Sequence, residues 1–91
     1  MLYVIAYDIA DDVRRVKLAD VLKDFGRRVQ YSVFEARLDA ELLERLRARV
    51  ARVIDSEDDS VRIYRLCGEC DKLIEILGQG GRTVDEKVYI V

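Results

Sequence analysis

Two hydrophobic periods divide the chain. Residues 2–9, Leu-Tyr-Val-Ile-Ala-Tyr-Asp-Ile, are apolar or aromatic except for Asp8, and most are strand formers. Alternation sets Leu2, Val4, Ala6 and Asp8 on one face and Tyr3, Ile5, Tyr7 and Ile9 on the other. Neither face has a solvated composition, so the pattern predicts a central strand covered on both sides. Residues 13–25 change to the helical period, with Leu18, Val21, Leu22 and Phe25 at i, i+3, i+4 and i+7 and with Val13 and Ala19 near the same side. Asp11 or Asp12 can cap this helix, and Gly26 fits the position after its last turn, where a left-handed backbone is wanted.

Residues 29–38 return to alternation and predict either one long bulged strand or two short ones. Asp39 opens a second helix to about residue 54, whose apolar stripe is Leu43, Leu46, Val50, Val53 and Ile54. Residues 55–60 form an acidic turn without calcium-loop spacing and are expected to be a solvated connection. Strands are predicted at 61–67 and 73–77, with a turn at 68–71 between them. The glycine cluster at 78–81 predicts a hinge rather than a nucleotide loop, and residues 88–91 predict a terminal strand placed to pair with a partner subunit. This order favours an α+β sandwich of the ferredoxin-like type, an antiparallel sheet with two helices on one face. The other face, too apolar to stay wet, wants a partner.

Composition narrows what such a domain can do. Ninety-one residues make one small domain, and 51% hydrophobic beside 37% charged residues indicate sharp segregation of core and surface. No apolar run approaches the roughly 20 residues that span a bilayer, and no signal peptide is evident, so a cytoplasmic protein is expected. The sequence contains no histidine, which removes Ser-His and Cys-His nucleophile pairs and histidine-based nucleases. With 16 basic against 18 acidic residues, any nucleic-acid binding must use local patches. Cys67 and Cys70 form one Cys-x-x-Cys pair, read as structural or incidental, with a redox pair or a site shared between subunits as alternatives.

Asp8 is the principal chemical candidate. A carboxylate closing a strand that is buried on both faces is costly without a cation, whether a metal, an Arg or a Lys, and a metal is the expected one. The alternatives are that Asp8 caps the next helix or pairs with Arg14. Arg14 and Arg15 occupy a first helical turn, where the dipole disfavours cations. Either Asp11 and Asp12 offset them or the two guanidinium groups hold a phosphate. Arg45, Arg47, Arg49 and Arg52 make the second helix either a charged solvent face or a basic ridge.

Tyr-Asp-Ile at 7–9 followed by Asp-Asp-x-Arg-Arg, then Gly-x-Arg-Val-Gln-x-Ser-Val-Phe-Glu at 26–35 and Asp-Ser-Val-Arg-Ile-Tyr-Arg-Leu at 59–66, together resemble the small CRISPR-associated protein of the spacer-acquisition pair. That family, the second in the Cas series, is the partner of the CRISPR integrase. The resemblance covers about the first two thirds of the chain. It implies a ferredoxin-like homodimer with its sheets facing each other, a magnesium-dependent endonuclease acting on single-stranded RNA or double-stranded DNA, and a bridge between integrase dimers. Asp8 matches the family's metal-binding aspartate and is expected to bind Mg2+ or Mn2+ and carry catalysis. Arg14, Arg15 and Arg28 stand at motif positions suited to nucleic acid, while Tyr7, Gln30, Ser32 and Phe34 stand where they would support the site or the dimer contact. The rival readings are an architectural scaffold without chemistry, a toxin-type ribonuclease of similar fold, and a regulatory module that binds a metabolite.

Overall fold

The computed structural model describes residues 1–84. Its elements run in the order β1 (Leu2–Asp8), α1 (Asp12–Lys23), β2 (Arg27–Gln30), β3 (Val33–Arg37), α2 (Ala40–Val53), β4 (Ser60–Leu66) and α3 (Gly68–Lys72). The sheet is antiparallel in the order β2-β3-β1-β4, so β1 is central, as its apolar composition requires. With α1 and α2 on one side, this is the ferredoxin-like sandwich.

The helices bury the predicted stripes. Tyr3, Ile5 and Tyr7 from β1 and Ile9 just after it, with Phe34 and Ala36 from β3, form one core with Leu18, Ala19 and Leu22 of α1, Phe25 beyond it, and Leu43, Leu46 and Val50 of α2. Each fully buried side chain of this size contributes about 1.5–3 kcal/mol. Asp11 caps α1 by accepting from the Arg14 amide at 2.9 Å, and Asp39 caps α2 by accepting from the Leu42 amide at 2.8 Å. Val13, in the first turn of α1, lies off the stripe and is 61% exposed.

Residues 29–38 resolve into two strands with an irregularity between Arg28 and Gln30 and a turn at Tyr31 and Ser32. Gly26 does not take a left-handed backbone, which occurs among the described residues only at Gly78 and Gly80. Its requirement is close approach. A Cβ there would press on the Glu35 carbonyl oxygen and stand 2.7 Å from Ala36 Cβ.

Residues 73–77 form no strand, contrary to the alternating pattern. The chain instead turns through α3 and lies across the face of the sheet opposite the helices. It is held there by side chains: Arg37 grips Asp71 at 2.5 and 3.1 Å and donates to the Thr83 carbonyl at 2.8 Å, while the Thr83 hydroxyl donates to Glu35 at 2.5 Å. Arg27 reaches the Gly81 carbonyl at 3.1 Å. This strap buries Leu2 on the open face, where Val4 and Ala6 remain half-buried and Asp8 is exposed. That face also carries Glu35, Arg37, Arg62 and Tyr64, so it is mixed rather than wholly apolar. The predicted strand at 88–91 lies outside the described residues.

The acidic turn is not simply a solvated connection. Asp59 is buried, and its carboxylate accepts from Arg14 Nε at 2.8 Å and Nη2 at 3.2 Å, from the Ala10 amide at 3.0 Å and from the Asp55 amide at 2.8 Å. One side chain thus joins the end of β1, the first turn of α1 and the α2–β4 connection. Hydrogen bonding from Arg14 holds the Asp59 carboxyl well below the usual carboxylate range against the opposing effect of burial, with the backbone donors adding to it.

Two stability predictions follow from these contacts. Gly26→Ala should cost about 1–3 kcal/mol in denaturant unfolding, because β3 must yield to the new methyl group. The lowered Asp59 pKa stabilises the fold above the ordinary carboxylate pKa of about 3.9, and that contribution is lost as pH falls through the folded-state value. Arg14→Ala and Asp59→Asn should therefore each lower the thermal midpoint at neutral pH. Together they should lose less than the sum of the single losses, and the acid-unfolding difference from the parent should shrink at low pH. Additive losses would show that the two groups act separately.

Candidate nucleic-acid interface and metal position

The end of β1 brings the expected residues together. Tyr7, Asp8, Ile9, Arg15, Tyr31 and Ser32 line a hollow of about 320 Å3 at the rim of the sheet. Its position follows from strand pairing, because the Tyr7 amide donates to the Ser32 carbonyl at 3.1 Å and the Tyr7 hydroxyl to the Tyr31 carbonyl at 3.4 Å. The β2–β3 turn is thereby tied to the strand that ends in Asp8.

Asp8 itself is exposed. Asp11, not Asp8, caps α1, and Arg14 pairs with Asp59, so both alternatives to a cation partner are excluded as geometry. Among the described residues, no side chain pairs with the Asp8 carboxylate. Exposure also corrects the expectation of a desolvated acid, since the strap leaves Asp8 uncovered on the open face.

The two neighbouring arginines diverge. Arg14 is committed to Asp59 and does not line the hollow. Arg15 does line it, donating to Asp12 at 2.6 Å and to the Ile9 carbonyl at 3.0 Å. A guanidinium has five donors, so these contacts orient the group and leave others for an anion. Arg28 lies 5.4 Å from the centroid of the Phe34 ring and lines a second groove, of about 470 Å3, between α1 and the β2–β3 hairpin. Phe34 is fully buried behind Tyr7, the ring centroids 6.3 Å apart, so it supports the hollow from within the core. Gln30 faces a separate cavity of about 520 Å3 under the strap.

Neither Tyr31 nor the buried Asp59 stood out in the sequence as a functional residue. Tyr31 looked like one position of a strand alternation, yet it occupies the turn and is 75% exposed. Asp59 looked like one acid among several. The α2 arginines are mostly paired, Arg45 with Glu41, Arg47 with Glu44 and Arg49 with Asp24, as a charged solvent face requires. Cys67 and Cys70 are free and exposed, with the Cys70 amide donating to Cys67 Sγ at 3.5 Å. That contact lowers the Cys67 thiol, and the paired arrangement raises Cys70.

A metal ion would meet one carboxylate in this hollow. No group of three or more metal-ligating residues exists among the described residues, so one chain does not supply a closed site. One exposed carboxylate suits a hard, largely hydrated ion such as Mg2+, which takes few protein ligands and keeps several waters. Among the described residues no helix is long and apolar enough to cross a membrane.

Comparison with known proteins agrees with this fold. The family described as CRISPR associated protein Cas2 matches residues 1–74. The chain is 54% identical over 79 residues to CRISPR-associated endonuclease Cas2 2 of Thermus thermophilus, covering 87% of this chain and 83% of that one. It is 44% identical over 93 residues to CRISPR-associated endoribonuclease Cas2 1 of Chloroflexus aurantiacus, covering 100% of each. The crystal structure of Streptococcus pyogenes Cas2 superposes with a TM-score of 0.75 at 30% identity, over 86% of this chain and 100% of that one. A strand-end Asp8 beside Arg15, set on a ferredoxin-like sheet, thus sits within a matching sequence and a matching fold, and the chain belongs to the CRISPR-associated Cas2 family.

Proposed function

We propose that the protein is a metal-dependent endonuclease of a CRISPR system, cleaving phosphodiester bonds in single-stranded RNA, double-stranded DNA or both. The observation that carries this reading is the Asp8 carboxylate, exposed, without a side-chain partner among the described residues, in a hollow whose other charged group is Arg15. The names of its relatives, endonuclease and endoribonuclease, support it.

Asp8 would hold Mg2+ or Mn2+, and Arg15 would take a non-bridging oxygen of the phosphate. When bound, the ion supplies Lewis-acid stabilisation of the phosphoryl oxygens and a more acidic water. Arg15 adds positive charge where the transition state gathers negative charge, and its contacts to Asp12 and Ile9 fix its direction beforehand. With no histidine in the sequence, no imidazole base takes part.

A homodimer with facing sheets completes the site, since two Asp8 side chains near a two-fold axis can share one ion. The half-buried Val4, Ala6 and Val33 and the exposed Tyr64 offer the apolar part of that contact. The same dimer is suited to bridge the CRISPR integrase and DNA during spacer acquisition. A second reading, a scaffold without chemistry, is favoured by one fact: a single carboxylate per chain is a sparse catalytic apparatus.

Cleavage of labelled single-stranded RNA and duplex DNA, with Mg2+ and with chelator, separates the two readings. Asp8→Asn should lower metal-dependent cleavage by about a hundredfold or more without moving the thermal midpoint, since Asp8 is exposed and contributes nothing to the core. Full activity of Asp8→Asn in a preparation free of contaminating nuclease would remove Asp8 from the mechanism. Absence of cleavage in the parent protein, with integrase binding retained, would favour the scaffold.

A further inference from the structure

Tyr31 is unusual among the large side chains. It is 75% exposed at the tip of a turn, yet its surroundings hold it. Its carbonyl accepts from the Tyr7 hydroxyl at 3.4 Å, its neighbour Ser32 pairs with the Tyr7 amide at 3.1 Å, and its side chain lines the same hollow as Arg15. Tyr7, Arg15 and Tyr31 also form the wall shared by the Asp8 hollow and the groove beside α1.

That groove is built for more than water. At about 470 Å3 it has an apolar side from Val16, itself 61% exposed, and Ala19, with Arg28 along it, while Lys23 and Arg15 face Asp20 and Asp12 on its rim. A flat aromatic ring, an apolar wall and cations, all next to a phosphate-directed arginine, match an unpaired nucleobase joined to a phosphodiester. Bases of single strands stack on aromatic side chains, whereas bases inside a duplex keep both faces covered. The groove lies on the helix side of the sheet, so it stays open in a dimer formed through the opposite face.

We propose that Tyr31 is a stacking platform for the nucleobase next to the phosphate held at Asp8 and Arg15, and that it makes the site select single strands. This rests on the nuclease reading of the hollow. Tyr31 is a specificity residue rather than a catalytic one, since it contacts the base and not the reacting atoms.

The test compares the parent with Tyr31→Ala and Tyr31→Phe, measuring by fluorescence anisotropy, in chelator, the binding of a labelled single-stranded RNA and of a labelled DNA duplex. Tyr31→Ala should weaken single-strand binding by about five- to a hundredfold, the worth of one stacked base, and leave duplex binding within about twofold. Tyr31→Phe, which keeps the ring, should retain most of the single-strand affinity. An RNA with one abasic position should reproduce the loss in the parent and add little to the loss in Tyr31→Ala. Equal single-strand binding by parent and Tyr31→Ala would overturn the platform and leave the nuclease reading standing. A parent that binds and cleaves no nucleic acid would overturn both. Equal losses in Tyr31→Phe and Tyr31→Ala would overturn stacking in favour of a role for the Tyr31 hydroxyl. Dissociation of Tyr31→Ala into monomers in sedimentation would overturn it in favour of a subunit contact.

Discussion

The buried carboxylate of Asp59 is the constraint on which the working end of this molecule depends. A desolvated acid is tolerable only when its lone pairs are filled, and here Arg14 and the amides of Ala10 and Asp55 fill them. Those donors come from three different stretches of the chain. Satisfying one acid therefore sets the direction of the loop leaving β1, the start of α1 and the approach of β4. Asp8 and Arg15 flank this junction, one just before the loop and the other just after Arg14. Their separation is a consequence of how Asp59 is solvated by protein.

This division of labour explains why adjacent arginines differ so completely. Arg14 is spent on architecture, and its bidentate grip is the geometry that a guanidinium supports and an ammonium does not. Arg15, one residue on, projects towards the hollow, where its contacts to Asp12 and Ile9 orient it without closing it off. On the other side of β1, the Arg37 grip on Asp71 does a comparable job for the strap, holding the Asp71 carboxyl below its usual range while it anchors residues that have no strand ladder. Charge pairs thus place the irregular parts of the chain, and the apolar core places the regular ones.

Much of this was legible beforehand, and the exceptions share a cause. β1, both main helices, their Asp11 and Asp39 caps and the ferredoxin-like order follow from periodicity, because each buries a stripe that repeats at the period of its element. Asp8, Arg15, Tyr7 and Ser32 line one hollow, whereas Arg14, Arg28, Gln30 and Phe34 do not. Missed were features set by contacts distant in sequence. Asp59 reads as solvated because its partners lie 45 and 49 residues away. Residues 73–77 alternate like a strand, yet the chain there is governed by Arg37 and Asp71, 34 residues apart. Gly26 reads as a helix terminator, although its missing side chain answers to β3. Tyr31 was hidden for the opposite reason, since a β-former within an alternating run gives no hint that it occupies the turn.

Native-state hydrogen exchange at the Ala10 and Asp55 amides tests the Asp59 junction most directly, since both donate to the same buried carboxylate. Both amides should exchange slowly in the parent protein, and both should lose protection together in Arg14→Ala while amides in the middle of α1 and β1 keep theirs. Unprotected exchange at either amide in the parent protein would contradict the claim that Asp59 fixes the end of β1.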